Sequence, residues 1–173
     1  MGRRACLDYV RRTDATAAVE FAMVAAPFFA LIIATLDLAL LFVGQAALET
    51  AVEETSRLVL TGQALSGGLT QSQFKQDVCN ALPSPFLCSG IMVDLQTASS
   101  FSGASTSAPT LTYDANGNVT NVWQYQIGGP GSIEVMRVMY QWPVVPGPLD
   151  VNFANLSNGK YLLMATSVFR NEP

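Results

Sequence analysis

From Phe21 to Leu36 the chain runs 16 residues without a charged side chain. The apolar character extends on both sides, from Val19 to Val43, interrupted by the carboxylates of Glu20 and Asp37. At about 1.5 Å rise per residue a helix from Val19 to Val43 spans roughly 37 Å, more than a hydrocarbon core of about 30 Å. A cleaved secretory signal has an apolar core of about 7–15 residues followed by a small-x-small cut site. This run is longer, and "QAALETAVEETSRLVL" after Gly44 still reads as helix. The segment is therefore expected to cross a membrane. Arg3, Arg4, Arg11 and Arg12 precede it. By the positive-inside tendency residues 1–14 stay in the cytoplasm and the C-terminal bulk lies outside. Pro27 removes one backbone hydrogen bond and favours a kink, which a membrane helix tolerates. A plain signal anchor accounts for this much, with Glu20 reaching the headgroups and Asp37 near the far interface. It gives no reason for "ATAAVEF", where small residues lead up to an acid and Phe follows directly.

Composition narrows the function. Charged residues make up 13% of the chain, against about 25% in an ordinary soluble domain. There is no histidine. That removes the commonest general base, the histidine-activated nucleophiles and most zinc sites. The expectation is of no enzyme, no catalytic residues, no metal and no cofactor. Residues 44–173 hold five basic and nine acidic side chains with no basic cluster, so a nucleic-acid partner is not expected. Gly128-Gly129-Pro130-Gly131 precedes a strand and lacks the Lys-Ser/Thr of a phosphate loop.

Past the apolar run the helix is expected to continue to about Leu60. Leu48, Val52, Thr55 and Val59 form one face, and Glu49, Glu53, Glu54 and Arg57 a solvated one. Gly62 reads as its stop and Leu65–Gly68 as a loop. Thr70-Gln71-Ser72-Gln73 is a capping-box pattern opening a short helix to about Leu82, with Phe74, Val78 and Leu82 at four-residue intervals. Pro83 and Pro85 end it. Cys79 and Cys88 bracket "NALPSPFL"; on the inferred topology both face an oxidising compartment, where thiols pair. A disulfide is preferred to a metal site, which two thiolates without histidine leave short of ligands. Cys6 stands among the arginines ahead of the apolar run, on the cytoplasmic side, where it is expected to stay reduced.

The second half is read as β-rich. Ile91–Ala98 alternates, with Ile91, Val93 and Leu95 on one face, and residues 99–109 form a polar loop. Asn116-Gly117 marks a turn. Tyr125 and Ile127 are expected to pair with Ile133 and Val135 as a hairpin. Pro143, Pro146 and Pro148 end that strand, and 161–169 closes the chain as another. Trp123, Tyr125, Tyr140 and Trp142 are expected to fill the core of the sheet. Periodicity thus reaches an α+β, membrane-anchored protein.

The front of the chain resembles the TadE-like pseudopilins of the tight-adherence (Tad/Flp) pilus system. That pattern is a basic leader, a small residue at the cut, a few small residues, then Val-Glu-Phe-Ala and a long apolar helix. Here it is met by Arg11-Arg12, Ala15, and Thr16-Ala17-Ala18-Val19-Glu20-Phe21-Ala22. Asp37 takes the place of the family's second intramembrane acid, and "ATSVFRNEP" is similar to many TadE-like endings. The residue before the cut is usually Gly, whereas this chain has Ala15. The resemblance implies a pilin-like fold: a long N-terminal transmembrane helix with a small antiparallel sheet outside the membrane. It implies residues 1–15 as a cytoplasmic leader, cut between Ala15 and Thr16 by a prepilin peptidase. Residues 16–62 follow as the transmembrane and extended helix, and 63–173 as a periplasmic α+β domain. Glu20 and Phe21 become assembly residues. The implied partners are other TadE-like pseudopilins, the major Flp pilin and the inner-membrane pilus assembly platform. The implied function is that of a minor pseudopilin or assembly factor in surface attachment. The alternative is a signal-anchored periplasmic binding or adhesin module with no pilus role.

Overall fold

The computed structural model describes residues 13–147 and 151–173, with side chains from Thr16 onward. The arginine-rich leader, Cys6, the side chain of Ala15 and Pro148 lie outside the described residues. In chain order the elements are α1 (Thr13–Leu60), a one-turn α2 (Gln63–Ser66), α3 (Gln71–Ala81), β1 (Ile91–Ala98), β2 (Ile133–Pro143) and β3 (Lys160–Arg170). A long apolar helix and a three-stranded antiparallel sheet make the chain α+β. It divides into two compact units, one of residues up to 39 with 145–153, the other of 40–144 with 154–173.

In the first unit, α1 continues through Pro27. Most of its large side chains are exposed, Phe21 at 72% and Met23 at 75%, while Ala30 is buried and Ala34 and Asp37 are half-buried on one face.

The second unit holds the core. Here α1 becomes one-sided: Leu48, Val52, Thr55 and Val59 are buried, while Glu49, Glu53, Glu54 and Arg57 are exposed, as the periodicity predicts. Burying side chains of this size stabilises by about 1.5–3 kcal/mol each. The helix meets the sheet closely at Gly44, where an added Cβ would lie 3.1 Å from both Leu163 Cδ1 and Trp142 Cζ3. Sheet order is β1-β2-β3. In β1 against β2, Val93 faces Val138 and Leu95 faces Met136; in β2 against β3, Val138 faces Ala165 and Tyr140 faces Leu163. Residues directly opposite share a face, so these side chains form the inner layer, and all are buried. At the end of α1, Gly62 takes a left-handed φ of 72°, a conformation open to glycine. The capping box forms as expected: Gln73 N donates to Thr70 Oγ1 and Thr70 N donates to Gln73 Oε1.

Three expectations need correction. The hairpin joining Tyr125 and Ile127 to Ile133 and Val135 does not form, because both edges of β2 are taken by β1 and β3. Residues 124–126 instead run parallel along the open edge of β1, with Leu95 N donating to Gln124 O and Gln126 N to Leu95 O. The stretch 65–68 is not all loop, since Gln63–Ser66 makes one helical turn before Gly67. Nor is β1 buried on one face alone. Met92 and Asp94 on its other face are also covered, beneath the crossing segment 99–127. The turn at Asn116-Gly117 within that segment is present: Gly117 has φ 79°, and Asp114 Oδ1 accepts from the N–H groups of Asn116 and Asn118.

Candidate functional site

The predicted site residues fall into two groups. Thr16, Glu20, Phe21 and Asp37 lie on the exposed stretch of α1; Cys79 and Cys88 lie in the folded unit. Glu20 is exposed and Asp37 half-buried, and among the described residues neither receives a hydrogen bond or an ion pair. They stand 17 residues apart on one helix, which is about 26 Å along the axis and roughly 100° around it. Both are acids, and at this separation they cannot share a proton. The hydroxyl of Thr35, in contrast, is satisfied by Leu31 O one turn back, at 2.8 Å. The Thr16–Leu60 helix is long and apolar enough to cross a membrane.

The Cys79–Cys88 disulfide is formed, with Cα atoms 5.4 Å apart. It ties the last turn of α3 to the loop before β1. Phe86, inside that loop, packs edge-on against Tyr140 and Trp142, with ring centroids 4.9 and 5.4 Å away. Tyr125 instead packs on Phe74 of α3 at 5.7 Å. Burial, then the charge of Asp77, push its phenol up to about 12, so it stays neutral at any ordinary pH. Trp123 departs from the expected core role: it is half-buried and lines a cavity.

Two buried carboxylates were not singled out by the sequence reading. Asp94 and Arg137 sit opposite each other in the β1–β2 register. Asp94 Oδ2 accepts from Arg137 Nε at 3.0 Å and from Nη2 at 2.5 Å. Asp94 Oδ1 also accepts from Gln124 N at 2.9 Å, and Arg137 Nη1 donates to Ser107 O at 3.3 Å. The pair therefore fastens the crossing segment to the sheet at two points. Glu134 is fully buried. Its Oε1 accepts from Gly128 N at 2.7 Å, from Ser132 Oγ and from Asn171 Nδ2. Burial raises its pKa above 4.5, and these hydrogen bonds, Gly128 N–H first, pull it partly back. This explains Gly128, where a Cβ would lie 2.6 Å from Glu134 Oε1. The signal was present in "MVDLQ", "VMRVM" and "IEVM", where charges are set among apolar residues along strands.

One apolar helix of membrane-crossing length, leading into a small disulfide-bearing α+β domain, fits a single-pass membrane anchor with a C-terminal domain. Residues 15–57, which hold Glu20, Phe21 and Asp37, match the family of TadE-like proteins. That is the family the N-terminal residues resemble, and the match supports an association with the Tad pilus system. Neither curated proteins nor solved structures give a match.

Proposed function

We propose that this chain is a minor pseudopilin or assembly factor of a Tad/Flp-type pilus, with a role in assembly and not in catalysis. In this reading a prepilin peptidase cuts between Ala15 and Thr16 on the cytoplasmic side of the inner membrane. The pilin-like domain then stands in the periplasm. The observation that carries it is Glu20, a carboxylate with no partner among the described residues, at the head of an exposed apolar helix inside the TadE-like segment. Moving an ionised carboxylate into hydrocarbon is costly unless an opposite charge comes close. The cut creates that charge, the α-amino group of Thr16. Beside a neighbour, the same carboxylate meets the neighbour's amine and marks register between subunits, a use of buried charge better attested than stabilisation. The partners in this scheme are other TadE-like pseudopilins, the major Flp pilin and the membrane platform.

Two measurements test it. N-terminal sequencing of protein from the membrane fraction should read from Thr16; an uncut Met1 supports the anchored binding module instead. Glu20→Gln keeps size and removes charge. Insertion and cleavage should persist while pili become sparse or absent, with the mature protein left in the inner membrane. Normal piliation in that variant overturns the assembly role of Glu20.

A further inference from the structure

Residues 63–173 carry four basic side chains. Arg137 is paired with Asp94, and Arg170 Nε donates to Gly131 O. The remaining two, Lys75 and Lys160, receive no carboxylate and make no hydrogen bond through their ammonium groups among the described residues. Both line the same cavity, of about 590 Å3, at the end of the sheet. Cavities of about 300–1,000 Å3 are the usual size for small-molecule sites. Lys75 comes from α3 and is half-buried; Lys160 is the first residue of β3 and is exposed. No Asp or Glu is among the lining residues, although the domain as a whole has more acids than bases.

The other walls refine the chemistry. Trp123 presents a half-buried indole, and Met92 and Tyr140 add apolar surface. Ser89 Oγ and Trp123 Nε1 also have no partner among the described residues. Every unused polar side-chain group named here can donate, so the complementary ligand is rich in acceptors. Two ammonium groups with no carboxylate among the lining residues favour a ligand that carries more than one negative charge. An indole face suits the flat, weakly polar side of a ring. We propose that this cavity binds an acidic saccharide, a short uronate oligomer, with its carboxylates on Lys75 and Lys160 and a sugar ring against Trp123. The Cys79–Cys88 bridge holds the Leu87–Gly90 wall, which carries Ser89, to the helix that carries Lys75. The proposal does not depend on the pilus reading: a binding site in this domain suits either an assembled subunit or an anchored module.

The test uses the full chain in zwitterionic nanodiscs, with intrinsic tryptophan fluorescence and calorimetry as readouts. Trigalacturonate is the probe, maltotriose the neutral control and an aspartate-rich peptide the competing acidic class. Trigalacturonate should bind saturably, maltotriose at least about tenfold more weakly, and added salt should weaken the acidic ligand alone. Lys75→Gln and Lys160→Gln should each weaken binding about tenfold while leaving thermal unfolding unchanged. These variants keep the arginines of the N-terminus, so retained affinity in them means binding outside the cavity and overturns the proposal. Equal binding of maltotriose overturns it too. So does binding of the peptide, but not the saccharide, through these lysines.

Discussion

Asp94→Ala tests the claim that one buried ion pair fixes the crossing segment to the sheet. Asp94 is 2% exposed and Arg137 9%. Without the carboxylate, Arg137 is left charged and covered, and the Gln124 N–H loses its 2.9 Å acceptor. Removing one partner of a buried pair costs about 3–5 kcal/mol. For a folded unit of this size that lowers Tm by about 10–20 °C. The assay is thermal and urea unfolding of the full chain in zwitterionic micelles, followed by tryptophan fluorescence. Trp123 lies one residue from the Asp94 contact at Gln124 and reports the segment directly. Replacing both partners, Asp94→Leu with Arg137→Met, removes the charge problem together with the attraction. The double variant should recover to within about 1–2 kcal/mol of the wild type, and with Asp94→Leu and Arg137→Met also made singly it gives a large coupling energy in the four-member cycle. A loss below about 1 kcal/mol in Asp94→Ala refutes the reasoning, because a burial this complete then carries no electrostatic penalty. A double variant as unstable as the sum of the singles refutes it by the other route: the two side chains then act separately.

Glu134 has a raised folded-state pKa, so the folded protein favours its protonated form. The stability it contributes is present below about 4.5 and is lost as pH rises from there through the folded value. Glu134→Gln should therefore gain on the wild type in Tm between pH 4 and 7; a constant difference across that range speaks against the shift. Cys79 and Cys88, trapped with alkylating reagent before lysis, should resist labelling until reduced. Cys79→Ser should lose about 2.5–3 kcal/mol on the chain-entropy model of a loop this short, read as a lower urea midpoint and a lower steady-state level. With a prepilin peptidase co-expressed, Ala15→Arg should block removal of the leader by bulk and Ala15→Gly should not. Continued cutting of the Ala15→Arg protein at the same bond means the signal has been misread.

The elements legible in the sequence were those whose cause is local. The stripe Leu48, Val52, Thr55, Val59 predicts its own burial whatever it packs against. The capping box at Thr70–Gln73 closes within four residues, and Ile91–Ala98 has the alternation of a strand. What was missed depends on partners distant in sequence. Tyr125 and Ile127 alternate as well as any strand, but which edge they join was decided by the pairing of β2 with β3, more than thirty residues away. Both faces of β1 are covered because a segment of polar and small residues crosses it, and nothing in that composition announces a lid. The cavity of Lys75 and Lys160 joins residues 85 positions apart, so no local spacing could have shown it. Its only trace in the sequence is scarcity: these are the two lysines of the whole chain.

The carboxylates of this protein show why Glu20 invites an assembly reading. Glu49, Glu53 and Glu54 are exposed along a helix whose opposite face is buried in the sheet domain; water reaches all three, and Glu49 also accepts from Gln45 Nε2. Asp94 and Glu134 are buried, and each receives several donors from its own chain. Glu20 belongs to neither group. Its surroundings are apolar like those of a buried residue, since Val19, Phe21, Met23 and Val24 around it are all large and exposed. It nevertheless lacks the donors that a buried acid has elsewhere in this chain. Snorkelling to headgroups would relieve a plain anchor of the cost, but glutamine at the same place would avoid it with almost the same shape. A charge that its own fold leaves unsatisfied is best explained by a partner supplied from outside the fold. On the proposed reading that partner is the amino terminus that cleavage before Thr16 would make on a neighbouring copy or a related subunit, which carries the opposite charge.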